Sequence, residues 1–225
     1  MPSKIQNQLL FAWVAYWLLA TGLQNYLLKP LGIDNLHNYL ITAVYFLFFT
    51  SLSIVYFRDQ FNFGLSSKAQ YRGPAGRPFF IALGLSILFF VSCLAFNLWR
   101  PLGPDQQSKI LKSGFYFPLF SLSTTVTKFC DITFQQVLIV GLLRKMSAFE
   151  MPKNRAIWAF SICFFAVHLP LVLIMGLFAF YFIVPSLFAG VAMSYLILRF
   201  RNGWLLSLSL HLAFYLVIGL FMRHY

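Results

Sequence analysis

The chain has 225 residues, of which 60% are hydrophobic, 20% aromatic and only 10% charged. A soluble domain of this length needs more polar surface than that, so composition excludes a water-soluble globular fold and calls for one that faces lipid. Seventeen Lys and Arg against five Asp and Glu give a net charge of +12, a balance that suggests nucleic acid until the positions of the bases are read.

Several runs reach the roughly 20 apolar residues needed to cross a hydrocarbon core. The chain therefore reads as an all-α polytopic membrane helical bundle of about 8 transmembrane helices, with seven as the alternative count. The expected spans are 8–28, 37–57, 79–99, 114–146, 154–168, 170–184, 186–200 and 203–223. The first run is long, lacks a small-x-small cleavage site and is followed by further spans, so it reads as a retained helix and not a signal peptide. The fourth is too long for one straight crossing and is expected to tilt or to break. Pro170 and Pro185 mark expected breaks between short helices. Short, proline-bounded helices at membrane depth tend to line cavities, because their exposed backbone must be satisfied by protein or water.

The bases cluster between the spans. Arg58, Lys68, Arg72 and Arg77 share one loop, which also holds Gly64, Gly73, Pro74, Gly76 and Pro78; Arg144, Lys145, Lys153 and Arg155 share another. With eight crossings these loops fall on one side, which the positive-inside rule makes cytoplasmic together with the N-terminus and Lys4. Lys109, Lys112, Arg199 and Arg201 then fall opposite. The charge is thus a topology signal: the expected partner is the lipid bilayer, and no nucleic acid is expected. With no organelle address in the chain, the expected location is the bacterial inner (plasma) membrane. Cys93, Cys130 and Cys163 lie in apolar runs without disulfide or zinc spacing and read as free thiols.

Residues 1–225 read as a single membrane domain whose chemistry lies in the second half. Ionisable residues inside spans are expensive, so each invites a functional reading. Asp131 and Gln135, four apart, share a helix face, and Lys128 stands three residues before Asp131, a spacing that permits an ion pair near the bilayer or bundle surface. His168 ends Phe164-Phe165-Ala166-Val167-His168, and His211 begins His211-Leu212-Ala213-Phe214-Tyr215. Each histidine alone reads as a hydrogen-bonded core residue. His37 and His224 lie at expected helix ends, where solvation suffices. His168, His211 and Asp131 lie on no HExxH helix and sit on separate spans, so neither a metal nor a cofactor is expected.

Taken together, these segments resemble the CPBP family, which includes the type II CAAX prenyl proteases and the bacterial Abi proteins. The family pattern is EExxxR, then FxxxH, then HxxxN or HxxxD on separate membrane helices. The matching segments are Gln135-Gln136 with Val140, Phe164 with His168, and His211 with Tyr215. Gly141-Leu142-Leu143 follows the first, and Gly190 with Arg201-Asn202-Gly203 precedes the last much as the family's glycine-rich and basic turns do. The resemblance covers residues 115–220.

In family terms Gln135 stands where a glutamate would activate the attacking water, and Gln136 and Val140 stand where a glutamate would pair with an arginine. His168 and His211 would polarise the water or steady the oxyanion, and Tyr215 replaces the Asn or Asp that helps hold it. An amide has no lone pair basic enough to take that proton, and loss of a general base alone costs roughly 10²–10⁴ in rate. Gln136 and Val140 are neutral together, which avoids the roughly 3–5 kcal/mol penalty of a buried charge left without its partner. The resemblance therefore implies an intramembrane protease frame that is catalytically degenerate and binds a transmembrane or lipidated peptide, or serves as an immunity or scaffold protein. Two alternatives are an active endopeptidase that uses His168 or His211 with Asp131 as a substitute acid, and a small transporter built on the short helices and the pair Lys128 and Asp131.

Overall fold

The computed structural model describes residues 4–61, 77–200 and 202–224, and every regular element among them is helical, with no strand. Residues 62–76, which hold Gly64, Lys68, Arg72, Gly73, Pro74 and Gly76 of the basic loop, lie outside the described residues, as does Arg201. The α-helices are α1 (Lys4–Gly22), α2 (Tyr39–Tyr56), α3 (Arg77–Trp99), α4 (Pro104–Ser113), α5 (Leu122–Ala148), α6 (Lys153–His168), α7 (Leu171–Met175), α8 (Phe180–Arg199) and α9 (Gly203–His224). Five helical stretches are long and apolar enough to cross a membrane: α2, most of α3, α5, the stretch from α6 to α8, and α9.

Local chemistry sets the boundaries. Gly103 caps α4 with Pro104 in its first turn, and Gly114 at φ 71° ends it. Ser121 accepts the Thr124 N–H and starts α5. The long fourth span is broken as expected, because the one-turn helix Phe117–Leu119 and Phe120 at φ 51° come before α5. The amphipathic α4 in the 100–113 connection, with Ile110 buried and Lys112 in its last turn, has no counterpart among the expected spans.

The spans expected at 170–184 and 186–200 are corrected. Pro170 does end α6, but α7 has five residues and Pro185 lies within α8. At the sixth residue of α8 the missing proline N–H frees one carbonyl of the first turn, which a membrane helix tolerates. The break falls instead at Gly176, whose φ of 59° and ψ of −142° suit glycine alone. Seven helices of 16 residues or more therefore remain among the described residues.

Side-chain contacts between helix ends fix their directions. Gln6 donates to the Phe149 carbonyl, Arg144 to that of Gln60, and Arg199 to Asn154 Oδ1. The start of α1, the end of α2, the end of α5, the start of α6 and the end of α8 thus share one end of the bundle. At the opposite end the buried Arg223 of α9 donates to Asn97 Oδ1 and to the carbonyls of Arg100, Pro118 and Leu119. Its guanidinium also lies 5.5 Å from the Phe96 ring and 5.2 Å from that of Phe120.

Two apolar clusters meet at α5. One joins α1, α2 and α6 through Trp13, Trp17, Phe46, Phe134, Leu138 and Phe160; the other joins α3 and α9 through Phe89, Phe117, Phe120, Ile132 and Tyr215. Helices α6 and α8 approach at backbone distance, because a Cβ on Gly190 would lie 2.9 Å from Ser161 Cα. With Ser194 one turn on, this is the small-residue contact that lets membrane helices pack without a hydrophobic driving force. Cys93, Cys130 and Cys163 are free thiols.

Candidate functional site

Helix periodicity places Lys128, Asp131 and Gln135 on one face of α5. Lys128 Nζ donates to Asp131 Oδ2 at 2.7 Å, and Gln135 Nε2 donates to Asp131 Oδ1 at 2.8 Å. Both carboxylate oxygens are therefore occupied. The ammonium also lies over the Tyr215 ring at 4.6 Å and the Phe115 ring at 5.4 Å. The pair is not a surface feature: Lys128 and Asp131 are each 8% exposed. The expectation of an ion pair holds, and its expected position near the bundle surface is corrected to the interior. Two aromatic faces and a carboxylate stand in for the water that a buried ammonium loses.

The histidines are oriented by acceptors. His168 Nδ1 lies 2.6 Å from the Phe164 carbonyl, which can only accept, so the network assigns the proton to Nδ1 and the lone pair to Nε2. The His168 ring packs on Phe164, 4.7 Å between centroids, and on Trp17. His211 Nδ1 lies 3.4 Å from Gln136 Oε1. Gln136 Nε2 in turn donates to Ser207 Oγ at 3.0 Å and to the Trp204 carbonyl at 3.3 Å, which orients the amide and gives His211 the same tautomer. The His211 ring stacks on Tyr215 with centroids 5.4 Å apart.

These groups border three spaces. Lys128, Asp131, Gln135, His168 and Tyr215 line a cavity of about 320 Å³ that reaches the bundle end carrying Lys29, Asp34, Asn35 and Tyr116. His211 lines a neighbouring space of about 500 Å³, for which His168 and Tyr215 form a shared wall. Gln136 and Val140 face a third, of about 480 Å³, on the other flank of α5. Asp131, Gln135, His168 and Tyr215 are thus brought together, His211 stands behind Tyr215, and Phe164 packs in the core beneath His168. Gln136 and Val140 are not part of the polar cavity.

Two buried acceptors on this cavity, Gln135 Oε1 and Asn35 Oδ1, have no hydrogen-bond partner among the described residues. Such groups cost roughly 1–3 kcal/mol each unless something donates to them. At the rim, burial and then the Asp34 carboxylate raise the Tyr116 hydroxyl above the ordinary tyrosine range. Asp34 itself accepts the Leu36 and His37 N–H groups, and His37 Nδ1 lies 3.3 Å from its second oxygen.

The cavity is therefore lined by an acceptor at Gln135 and by donors at the Lys128 ammonium and the Tyr215 hydroxyl, the latter within hydrogen-bond reach of the Gln135 side chain. That set suits an uncharged group with both an N–H and a C=O. Among the described residues no three His, Cys, Asp or Glu side chains converge as a metal-ligand group. Sequence reasoning missed Ser207 and the Lys128–Tyr215 contact, although Ser207, His211 and Tyr215 recur every four residues on one face of α9. Asn35 lies in a loop without periodicity and carried no signal. Compared with protein-family models, with curated proteins and with solved structures, the chain gives no match.

Proposed function

We propose that this chain has the frame of a CPBP intramembrane protease whose proteolytic chemistry is lost, and that its polar cavity holds an uncharged segment of a transmembrane or lipidated peptide without cutting it. One observation carries this reading. Gln135 borders the same cavity as His168, while the nearest acid, Asp131, has one oxygen on Lys128 and the other on Gln135. A carboxylate held by two donors is a poor base, and an amide is none. The unpartnered Gln135 Oε1 and the neighbouring ammonium match the two ends of a peptide bond.

On this reading the protein crosses the bilayer seven times, with α1 as the first span. Seven crossings, unlike eight, put Arg199 on the same side as Lys4, Arg58, Arg144, Lys145, Lys153 and Arg155. The positive-inside rule then makes that side, and the N-terminus, cytoplasmic, and the inner membrane of a bacterium is the proposed site.

The test uses purified protein in liposomes with fluorescent transmembrane and prenylated peptides. Saturable binding without turnover above protein-free liposomes is expected. Turnover that disappears in His168→Ala would overturn the reading. It would favour a hydrolase that uses the lone-pair nitrogen of His168 as base, in which Asp131→Asn or His211→Ala also abolishes cleavage.

A further inference from the structure

The third space has a different chemistry from the polar cavity. Its α5 wall is a single stripe, Phe129, Thr133, Val137, Val140 and Arg144, at helical spacing. That stripe runs roughly 22 Å by helix rise, more than half of the ~30 Å hydrocarbon core. The facing wall is α3, of whose membrane window only 11% is buried inside the protein. Trp204 and Leu208 of α9 complete the lining, and Leu83 and Ile87 on the α3 wall are 45% and 54% exposed, so the space opens onto the apolar outer surface of the bundle. Its polar groups are few, and Gln136 among them is already bonded to Ser207 and Trp204.

Among the described residues that line the space, Arg144 is the one charged side chain. Arg144 closes the groove, with NH1 on the Gln60 carbonyl. It sits at the bundle end that also carries Lys145 and the starting residues of α6, Lys153 and Arg155, both exposed. An apolar slot of this length with a cation at its interfacial end has the polarity of a lipid in one leaflet. An arginine at position 140 would have put a second guanidinium inside the slot, whereas Val140 keeps it apolar.

We infer that this groove is a binding site for an anionic phospholipid, with one acyl chain between α3 and α5 and its phosphate at Arg144. The site is filled whether or not the polar cavity takes a peptide. A guanidinium attracts a phosphate by its charge, and a nearby base is worth about a five-fold preference for an anionic headgroup.

The test is lipid binding by the purified full chain in mild detergent, read by native mass spectrometry. Phosphatidylglycerol and phosphatidylcholine with identical acyl chains are the probes, with oleate as a third arm. One phosphatidylglycerol is expected to be retained about five-fold more tightly than phosphatidylcholine. Arg144→Gln should bring the two lipids level, and Arg144→Lys should keep the preference. Val137→Trp, which fills the slot from a half-buried position, should weaken both lipids together; it also guards against misfolding of the Arg144 variants. Equal binding of the two lipids by the natural chain, or undiminished binding by Val137→Trp, would overturn the assignment. So would retention of oleate in place of phosphatidylglycerol.

Discussion

Removing one member of the Lys128–Asp131 pair should destabilise the protein at least as much as removing the charge of both. Asp131→Asn leaves a buried ammonium without a counter-charge, and loss of one partner from a buried pair costs about 3–5 kcal/mol. The low end of that range is expected, because the Tyr215 and Phe115 rings still face Lys128 and such contacts are worth about 2 kcal/mol when desolvated. Lys128→Met should cost about the same, since Asp131 keeps only the Gln135 N–H. In Lys128→Met/Asp131→Asn no charge is left, and the new amide still accepts from Gln135, so roughly 1–3 kcal/mol is expected. The coupling is then about 3 kcal/mol or more. Unfolding of the four proteins in mixed micelles reads this difference directly. Single-variant costs that simply add would refute the description of the pair as buried and mutually dependent.

Gly190→Ala should cost about 1–3 kcal/mol by forcing α6 from α8 at Ser161, measurable as a lower unfolding temperature. Arg223→Lys should not behave as a conservative change: a lysine lacks the planar fork that reaches Asn97 and three carbonyls, and a loss of about 2 kcal/mol is expected in the same assay. Gln135→Leu strips one N–H from Asp131 and one acceptor from the cavity. It should lower peptide binding in liposomes while costing only about 1.5–3 kcal/mol of stability, because Lys128 still pairs with Asp131.

The helices were legible because their signals are local. Apolar runs bounded by glycine, proline and charge place α2, α3, α6 and α9 within two residues of their expected limits. The α8 region was misread for a physical reason: Pro185 is disruptive in a helix interior but tolerable near a helix start, and only the backbone angles of Gly176 reveal where the turn lies. The side chains of the site were legible one at a time, and their grouping was not. Periodicity puts Asp131 beside Gln135, but it does not tell which flank of α5 faces which neighbour. Gln135 and Gln136, adjacent in sequence, consequently border different spaces. The neutrality of Gln136 and Val140 has separate explanations in the fold: Gln136 holds Ser207, the Trp204 carbonyl and His211, whereas Val140 lines an apolar slot.

The central claim is that a protease frame survives without its acid, and one comparison tests it most directly. The natural chain and the variant Gln135→Glu/Gln136→Glu/Val140→Arg/Tyr215→Asn are placed in liposomes with a fluorogenic prenylated or transmembrane peptide, and turnover is followed. The account predicts no turnover by the natural chain and measurable turnover by the restored one, lost again when His168→Ala is added. Turnover by the natural chain that His168→Ala abolishes, or a folded restored variant that stays silent, would contradict it.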